Sequence, residues 1–265
     1  MTEPTPSETN PVTGAVLFYS KPEPLSSEMH GRIGLRRVDR PFDFAAGSQI
    51  SPLTVTEFPS AALCYPIIFA GEKRQPLAVM GVADGDNLFI TKGMFEIGAY
   101  IPAYIRRYPF VLANDQANEK LVVCVDRAAA MVGDLPDLPF FTPDGQPSDY
   151  TRNCIKFCDD YETETRRTES FVALLQELDL LESRTQTHSP LNPDGTIGAP
   201  QDVAQFFAVS EERLKALPAA KLKELIDNGA LAQIHAHLIS LLGWDRLIAI
   251  TLARRNAPPA AANLN

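Results

Sequence analysis

The sequence predicts an α+β fold with a mostly antiparallel N-terminal sheet with short helices, one long amphipathic helix and a C-terminal helical segment. Short runs rich in Val, Ile, Phe and Leu, bounded by Gly, Pro and Asp, fill the first half of the chain. These runs follow one another without regular crossover helices, which favours antiparallel pairing. The second half instead repeats apolar residues at three- and four-residue steps, which is typical of helices.

The apolar runs of the first half define the predicted strands. The stretch 77–90 has the pattern of a hairpin, because Asp84 and Gly85 supply the chemistry of a tight turn between two such runs. The predicted strands are 15–19, 32–36, 66–70, 77–82, 87–90, 110–113 and 121–126.

Two segments between these strands, 57–65 and 98–107, have helical spacing. Pro59 and Pro102 then belong near the first turns of short helices, where a missing N–H costs nothing. A Pro-, Gly- and Asp-rich passage follows at 133–148 and predicts turns.

A long helix is predicted at about 148–183, because one apolar stripe runs along it and is weakened by Thr165 and Thr168. A second linker at 185–200 and a strand at 203–209 follow, and then helices at 211–216, 219–227 and 230–254. The predicted organisation is a tail at 1–14, a sheet region at 15–132, a turn-rich linker at 133–148, a mainly helical region with one strand at 149–254, packed on the sheet as a single domain, and a tail at 255–265.

Composition excludes several classes of function. The chain has 265 residues and a formal net charge of −9, which argues against a nucleic-acid partner because nucleic-acid binders usually present basic faces. No run approaches about 20 apolar residues, so no integral membrane segment is expected. The four cysteines are too few for a disulfide framework, and the N-terminus lacks the features of a secretory signal. We therefore expect a cytoplasmic location, although signal-independent export to the cell surface would leave no trace in the sequence.

No motif predicts a cofactor or a metal, since the chain has neither a Gly-rich phosphate loop nor a G-x-S-x-G nucleophile elbow. His235 and His237 are two residues apart on a predicted helix, about 200° around its axis, so from a helix they cannot bind one metal together, whereas on a strand they could share a face. We expect one of them to be packed and the other exposed. Cys154 and Cys158 share a helix face, which is typical of apolar packing. A redox or metal pair is the alternative.

The most unusual local composition places three tyrosines at four-residue steps, Tyr100, Tyr104 and Tyr108, beside Arg106 and Arg107. Arginine with tyrosine suits carboxylates, peptide backbones or sugar rings. The sequence therefore predicts a surface that binds a ligand or partner at these five residues, and no catalytic residue. The alternative is that the tyrosines anchor a short helix on the sheet while the arginines pair with acidic neighbours.

Several segments together resemble the bacterial SapC family, which is often labelled S-layer-related. The resemblance extends over about residues 15–245. The segments that carry it are 58–69 (FPSAALCYPIIF), 87–90 (NLFI), 100–112 (YIPAYIRRYPFVL), 144–148 (DGQPS), 206–218 (FFAVSEERLKALP) and 225–241 (LIDNGALAQIHAHLISL).

The resemblance implies little about activity, since the family has no established catalytic residues to carry over. It implies genes near TonB-dependent receptors, flavin-dependent halogenase-like enzymes and cupin-like hydroxylases. We expect an accessory or binding protein that recognises a peptide, a glycan or a partner enzyme. The alternatives are an unrecognised metal-dependent oxygenase or hydrolase, with His30, His235 and His237 as candidate ligands, and a surface-layer structural component. A protein or peptide partner is expected, and the oligomeric state stays open.

Overall fold

The computed structural model describes residues 17–82, 85–115, 120–190 and 196–256. Its architecture is mixed α+β, with antiparallel pairing between the described strands and one long helix, which confirms the predicted fold class. The strands are β1 (Pro22–Pro24), β2 (Ile33–Leu35), β3 (Ile50–Pro52), β4 (Ile67–Ala70), β5 (Gln75–Val79), β6 (Ile90–Thr91), β7 (Met94–Phe95), β8 (Phe110–Asp115), β9 (Lys120–Asp126), β10 (Val132–Asp134), β11 (Leu138–Pro139), β12 (Leu181–His188) and β13 (Gln201–Val209).

The four helices that precede the long helix have four residues each, and the four that follow it have 5 to 14. A 3-10 turn, Val55–Glu57, leads directly into the third of them, where Pro59 occupies the first turn as predicted. The helices are α1 (Ser27–His30), α2 (Asp43–Ala46), α3 (Phe58–Ala61), α4 (Ala103–Arg106), α5 (Asp149–Glu177), α6 (Glu211–Lys215), α7 (Ala219–Asp227), α8 (Ala230–Ser240) and α9 (Gly243–Asn256).

The described chain divides into two compact units, each built from two separate stretches of sequence. Unit 1 comprises the described residues up to Phe44 together with Arg107–Glu162. Unit 2 comprises Ala45–Arg106 and the described residues from Thr163 onward. One boundary falls inside α5, so the N-terminal half of that helix belongs to unit 1 and its C-terminal half to unit 2.

Unit 1 contains two three-stranded antiparallel sheets, one in the order β1-β9-β8 and the other in the order β10-β2-β11. The turn-rich passage at 133–148 therefore contributes two short strands that pair with β2. The core of this unit is apolar and largely aromatic. It includes Phe110, Val125, Phe140, Phe141 and Cys158, the last of which comes from the first half of α5.

Unit 2 contains a five-stranded antiparallel sheet in the order β12-β13-β4-β5-β3 and a small ribbon of β6 and β7. Aromatic rings fill its core: the Phe58 ring lies 6.3 Å from that of Phe69 and 5.9 Å from that of Phe171, measured between centroids. Trp244, the only tryptophan of the sequence, is buried and stacks on Phe206, so it is a core residue.

His237 joins two strands of the unit 2 sheet where their own ladder is short. β13 pairs with β4 at Phe207 and Phe69. Beyond that pair, His237 Nε2 accepts from the Val209 backbone N at 3.1 Å, and Nδ1 lies 2.9 Å from the Ile67 carbonyl oxygen. A backbone N–H can only donate and a carbonyl can only accept, so the imidazole is neutral with its proton on Nδ1. This side chain of α8 thus completes the sheet.

The predicted hairpin at 77–90 is wrong. β5 instead follows β4 through a turn in which Gly71 and Arg74 both have positive φ, and it pairs with β4 and β3. The Leu88 backbone N does donate to the Met80 carbonyl oxygen at 2.8 Å, but no strand ladder forms between the two predicted runs within the described residues. Residues 83–84 lie outside the described residues. The strand predicted at 15–19 does not form in the described part: residues 17–18 are a turn, residue 19 is irregular, and residues 15–16 lie outside the described residues.

The long helix ends earlier than predicted, at Glu177 rather than near 183. Asp179 has a φ of 51°, and the Leu180 backbone N donates to the Leu175 carbonyl oxygen, which stops the helix and turns the chain. A second strand of this region, β12, then occupies the place where the sequence predicted the helix end and the start of a linker. Further along, residues 241–242 break the predicted helix at 230–254 into α8 and α9.

Candidate functional site

The segment with the three tyrosines and two arginines runs from an irregular stretch through α4 into β8. Pro102 immediately precedes α4, as predicted. Because α4 covers only Ala103–Arg106, Tyr100 and Tyr108 lie outside the helix. The segment passes from unit 2 to unit 1 after Arg106, so its residues form two groups that are described separately.

Glu57 is the centre of the group in unit 2. Its side chain is buried, with the residue 6% exposed. Oε1 accepts hydrogen bonds from Tyr100 Oη at 2.9 Å and from the Ala103 backbone N at 2.7 Å. Oε2 accepts from the backbone N and the Oγ1 of Thr54, both at 2.8 Å. A buried carboxylate is tolerated when such bonds replace its hydration. This carboxylate therefore fixes both Tyr100 and the start of α4.

Arg106 is the exposed member of this group. Its Nε donates to the Ile101 carbonyl oxygen at 3.0 Å, and its Nη2 donates to Tyr100 Oη at 3.3 Å. Tyr100 Oη thus donates to Glu57 and accepts from Arg106. Tyr100 therefore orients the Arg106 guanidinium at the surface, and the buried Glu57 carboxylate fixes Tyr100 in turn.

Tyr104 does not contribute to a surface, since it is only 7% exposed. It lies in α4 among buried neighbours, which include Ala103 and Ile105. Tyr65 Oη donates to the Tyr100 carbonyl oxygen at 2.6 Å and adds a further anchor for the segment. In unit 2 the tyrosines therefore hold the segment in place, and Arg106 is presented to solvent.

Asp126 has the corresponding place in unit 1, at the end of β9, with 0% exposure. Its carboxylate accepts from the backbone N of Ser20 and of Lys21 at 2.9 Å each, and from that of Ala128 at 3.0 Å. Tyr108 Oη donates to Asp126 Oδ2 at 3.3 Å. A second buried carboxylate thus anchors a second tyrosine of the segment.

Aromatic rings surround the remaining members in unit 1. The Arg107 guanidinium carbon lies 4.6 Å from the ring centroid of Tyr161 and 5.7 Å from that of Tyr19, within the range of cation–π attraction. The Tyr108 ring stacks on Phe44 at 3.8 Å between centroids. Arg107 and Tyr108 are both half-buried in this aromatic group.

The phenols of the two anchored tyrosines stay protonated at neutral pH. Burial, helped by the neighbouring Glu57 carboxylate, raises the pKa of Tyr100 to about 12. Burial and the Asp126 carboxylate likewise raise the pKa of Tyr108. Neither tyrosine is set up to lose a proton, so the arrangement suits hydrogen bonding and the presentation of cationic groups.

The histidines and cysteines take the places that the simpler interpretation predicts. His237 is fully buried and His235 is exposed. Burial raises the pKa of Cys154, and it raises that of Cys158 to about 12, so both thiols stay protonated. Within the described part of the chain, no group of three or more His, Cys, Asp or Glu side chains could hold a metal ion.

Sequence reasoning missed both anchoring carboxylates. A signal existed for Glu57, because Thr54 and Glu57 have the spacing of a capping box, whose acidic side chain returns to the backbone N–H three residues earlier. For Asp126 the local signal was weaker. Its bond to the Ala128 backbone N is the usual two-residue Asp turn, but its bonds to Ser20 and Lys21 join positions more than a hundred residues apart.

One helical segment, Ala230–Arg254, is long and apolar enough by length and hydropathy to cross a membrane, and 39% of its apolar window is buried. Ile234, Trp244 and Leu247 of this segment are core residues of unit 2. A core helix of a globular protein passes the same test, so this is weak evidence for a membrane span. The expected absence of a membrane segment stays a prediction.

A protein-family model named SapC matches residues 25–247 of the chain. The matched part contains all five predicted site residues as well as Glu57 and Asp126. No curated protein and no solved structure is significantly similar to the chain.

Proposed function

Since the chain belongs to the SapC family, we propose that it is an accessory protein that binds a protein or peptide partner and performs no catalysis of its own. The observation that carries this proposal is the exposed Arg106 guanidinium, which is oriented through Tyr100 by the buried Glu57. A planar guanidinium donates two parallel hydrogen bonds to a carboxylate, so an acidic side chain or a C-terminal carboxylate is the group it would recognise.

The preorganisation of Arg106 supports recognition. Ordering a long side chain on binding costs about 0.5–1.5 kcal/mol, and a side chain that is already held avoids much of this cost. Arginine and tyrosine are also enriched among the residues that dominate protein interfaces. The environment of Glu57 and Asp126 argues against a role in proton transfer. Both carboxylates are buried and already accept hydrogen bonds from backbone N–H groups.

The partner can be captured from lysate of the source cells and identified by mass spectrometry. We expect Arg106→Ala to reduce recovery of the partner about tenfold or more, which corresponds to the loss of one charged hydrogen bond. Arg246→Ala, which removes an exposed arginine from α9 of the same unit, is the matched control and should keep wild-type recovery. Equal recovery by Arg106→Ala and the control would contradict the proposal. Arg107→Ala, measured separately, shows whether the half-buried arginine contributes.

The compartment and the partner class are parts of the same proposal. We infer that the protein works in the cytoplasm beside an enzyme of the kinds that the resemblance suggests, of which halogenase-like and hydroxylase-like enzymes are the first to test. Cell fractionation checks the compartment. Protein found only in the surface layer would support the structural alternative instead.

A further inference from the structure

A cavity of about 180 Å³ lies beside the second half of α5, within unit 2. Its walls come from three parts of that unit: the 3-10 turn at Val55–Glu57, α5, and the junction between α7 and α8. No residue of the Tyr100–Arg106 group lines it. The cavity is therefore a separate place on the molecule, and its lining has to be explained on its own.

The buried part of the lining is apolar. Val55, Phe171 and Ala230 line the cavity and are 3%, 7% and 7% exposed. Leu174 adds a fourth apolar side chain. A cavity on the order of 150 Å³ with apolar walls accommodates benzene. This part of the cavity therefore suits an aromatic ring or a short branched chain.

The polar part of the lining offers hydrogen-bond donors that the described residues leave unused. The Arg167 guanidinium is exposed, and its ion pair with Glu164 joins Nη1 to Oε1 at 4.0 Å, which is too long for a hydrogen bond. Asn228 Oδ1 accepts from the Ala230 backbone N at 2.9 Å, which leaves its NH2 group available. Neither end of the Gln233 carboxamide bonds to a described residue, so its NH2 group can turn toward a ligand.

The two hydroxyl groups of the lining are already used as donors. Ser170 Oγ donates to the Arg166 carbonyl oxygen at 3.0 Å, and Thr56 Oγ1 donates to Glu164 Oε2 at 2.9 Å. The unused donors are thus one guanidinium and two amides, from α5 and from the start of α8. Such a set is completed by an anionic acceptor.

Hydrogen bonds hold the walls of the cavity in place. The Val55 backbone N donates to Thr168 Oγ1 at 2.8 Å, and the bond from Thr56 to Glu164 ties the same turn to α5 a second time. On the third wall, Gly229 has a φ of 77°, in the left-handed region that favours glycine, and directs the chain from α7 into α8. Walls fixed in this way lose little conformational freedom when a ligand binds.

We propose that this cavity binds a small apolar carboxylic acid. The carboxylate pairs with Arg167, because a planar guanidinium can donate two parallel hydrogen bonds to it. The amides of Asn228 and Gln233 are the further donors available to its oxygens. The ring or branched chain fills the apolar part beside Phe171 and Leu174. Both the charge and the apolar body are needed, so an alcohol of the same shape and inorganic phosphate each lack one half of the recognition.

NMR titration of the full chain tests the ligand class with four probes: benzoate, phenylacetate, 3-phenylpropanoate and 4-methylpentanoate. We expect at least one of them to bind saturably at a single site, with a Kd in the millimolar range or tighter. The neutral analogue 2-phenylethanol should bind at least about tenfold more weakly, because it cannot make the charged hydrogen bonds. Inorganic phosphate should not displace the bound acid.

Three variants test the place of binding. Arg167→Gln should weaken binding about tenfold or more, since it removes the charged donor. Arg166→Gln is the matched control: it makes the same change at the preceding residue of α5, which is exposed and does not line the cavity, and it should bind as the wild type does. Ser170→Phe sets a ring into the cavity from an exposed position and should abolish binding, while its urea unfolding curve checks that the chain still folds.

Three results would each overturn the proposal. They are the absence of saturable binding by any of the four acids up to about 10 mM, equal affinity for 2-phenylethanol, and unchanged binding in Arg167→Gln or in a folded Ser170→Phe. The probes are small molecules and the variants leave Arg106 in place, so the result does not depend on the proposed partner-binding function.

Discussion

Lowering the pH from 6.5 to about 4 is expected to reduce the free energy of unfolding by up to about 3 kcal/mol through His237 alone. Burial is the main cause that lowers the pKa of this imidazole from 6.5 to about 4. The hydrogen bond to Ile67 acts in the opposite direction, while the charge of Arg184 lowers the pKa further. Each pKa unit corresponds to about 1.4 kcal/mol.

The sign follows from proton binding. Between these two pH values the unfolded chain binds a proton at His237 and the folded chain does not, so stability rises with pH. The stabilisation is fully present above pH 6.5 and is lost as the pH falls through the window. Protonation of Nε2 would place an N–H against the Val209 N–H, at the site where the imidazole completes the sheet. An uncompensated charge would also be buried there.

Urea unfolding at a series of pH values measures this effect. We expect His237→Gln, which keeps an amide donor and acceptor but cannot titrate, to lose most of the pH dependence in the window. His235→Ala is the matched control: it lies two residues earlier on the same helix, is exposed, and should retain the wild-type dependence. An unchanged slope in His237→Gln would show that another group, such as the buried His30, causes the pH dependence.

The role of His237 shows where sequence patterns stop being informative. Two-residue spacing on a helix was enough to predict that one histidine is packed and the other exposed, because that depends only on the helical period. It could not identify which of the two is buried. Its partners, Ile67 and Val209, belong to strands that are distant in sequence.

The same limit applies to β12 and to Thr168. β12 alternates polar residues with other polar residues, so it lacks the apolar alternation by which strands are recognised. Thr168 weakens the apolar stripe of α5 in the sequence. In the structure its Oγ1 accepts from the Val55 backbone N at 2.8 Å, so a polar side chain satisfies the 3-10 turn that carries Glu57. The spacing of apolar residues predicts which face of a helix is buried, but it does not reveal hydrogen bonds made by polar side chains on that face.

The sequence pointed to the tyrosines and arginines of the candidate site, but it did not reveal the hydrogen bonds that hold them in place. Tyrosine and arginine at close spacing indicated either a binding surface or an anchored segment; the structure shows that the tyrosines anchor the segment and that Arg106 is exposed, and binding at these residues stays a prediction. The carboxylates that anchor the two tyrosines belong to residues outside the segment, so the segment's own sequence did not reveal them. Glu57 and Asp126 each hold one tyrosine of it, one in each compact unit.

Glu57→Gln is expected to lower the free energy of unfolding by about 1–3 kcal/mol. Glu57 accepts hydrogen bonds at both oxygens, and a glutamine offers one oxygen and one NH2 group. Whichever way the amide is turned, its NH2 group faces one backbone N–H that can only donate, that of Thr54 or that of Ala103, and one hydroxyl, that of Thr54 or of Tyr100, which has to rotate to accept. Each buried donor left without an acceptor costs about 1–3 kcal/mol.

Two further variants provide reference values for the loss of stability expected in Glu57→Gln. Tyr100→Phe removes a single hydrogen bond to the same carboxylate and should cost about 1 kcal/mol. Glu72→Gln makes the same chemical change at an exposed turn residue of unit 2 and should stay within about 0.5 kcal/mol of the wild type. Denaturant unfolding measures all three. Glu57→Gln as stable as Glu72→Gln would show that the carboxylate is not the anchor of Tyr100, and the orientation of Arg106 would then need another cause. Because Tyr100 holds the Arg106 guanidinium, both Glu57→Gln and Tyr100→Phe should also weaken partner binding, even though Glu57 itself is buried.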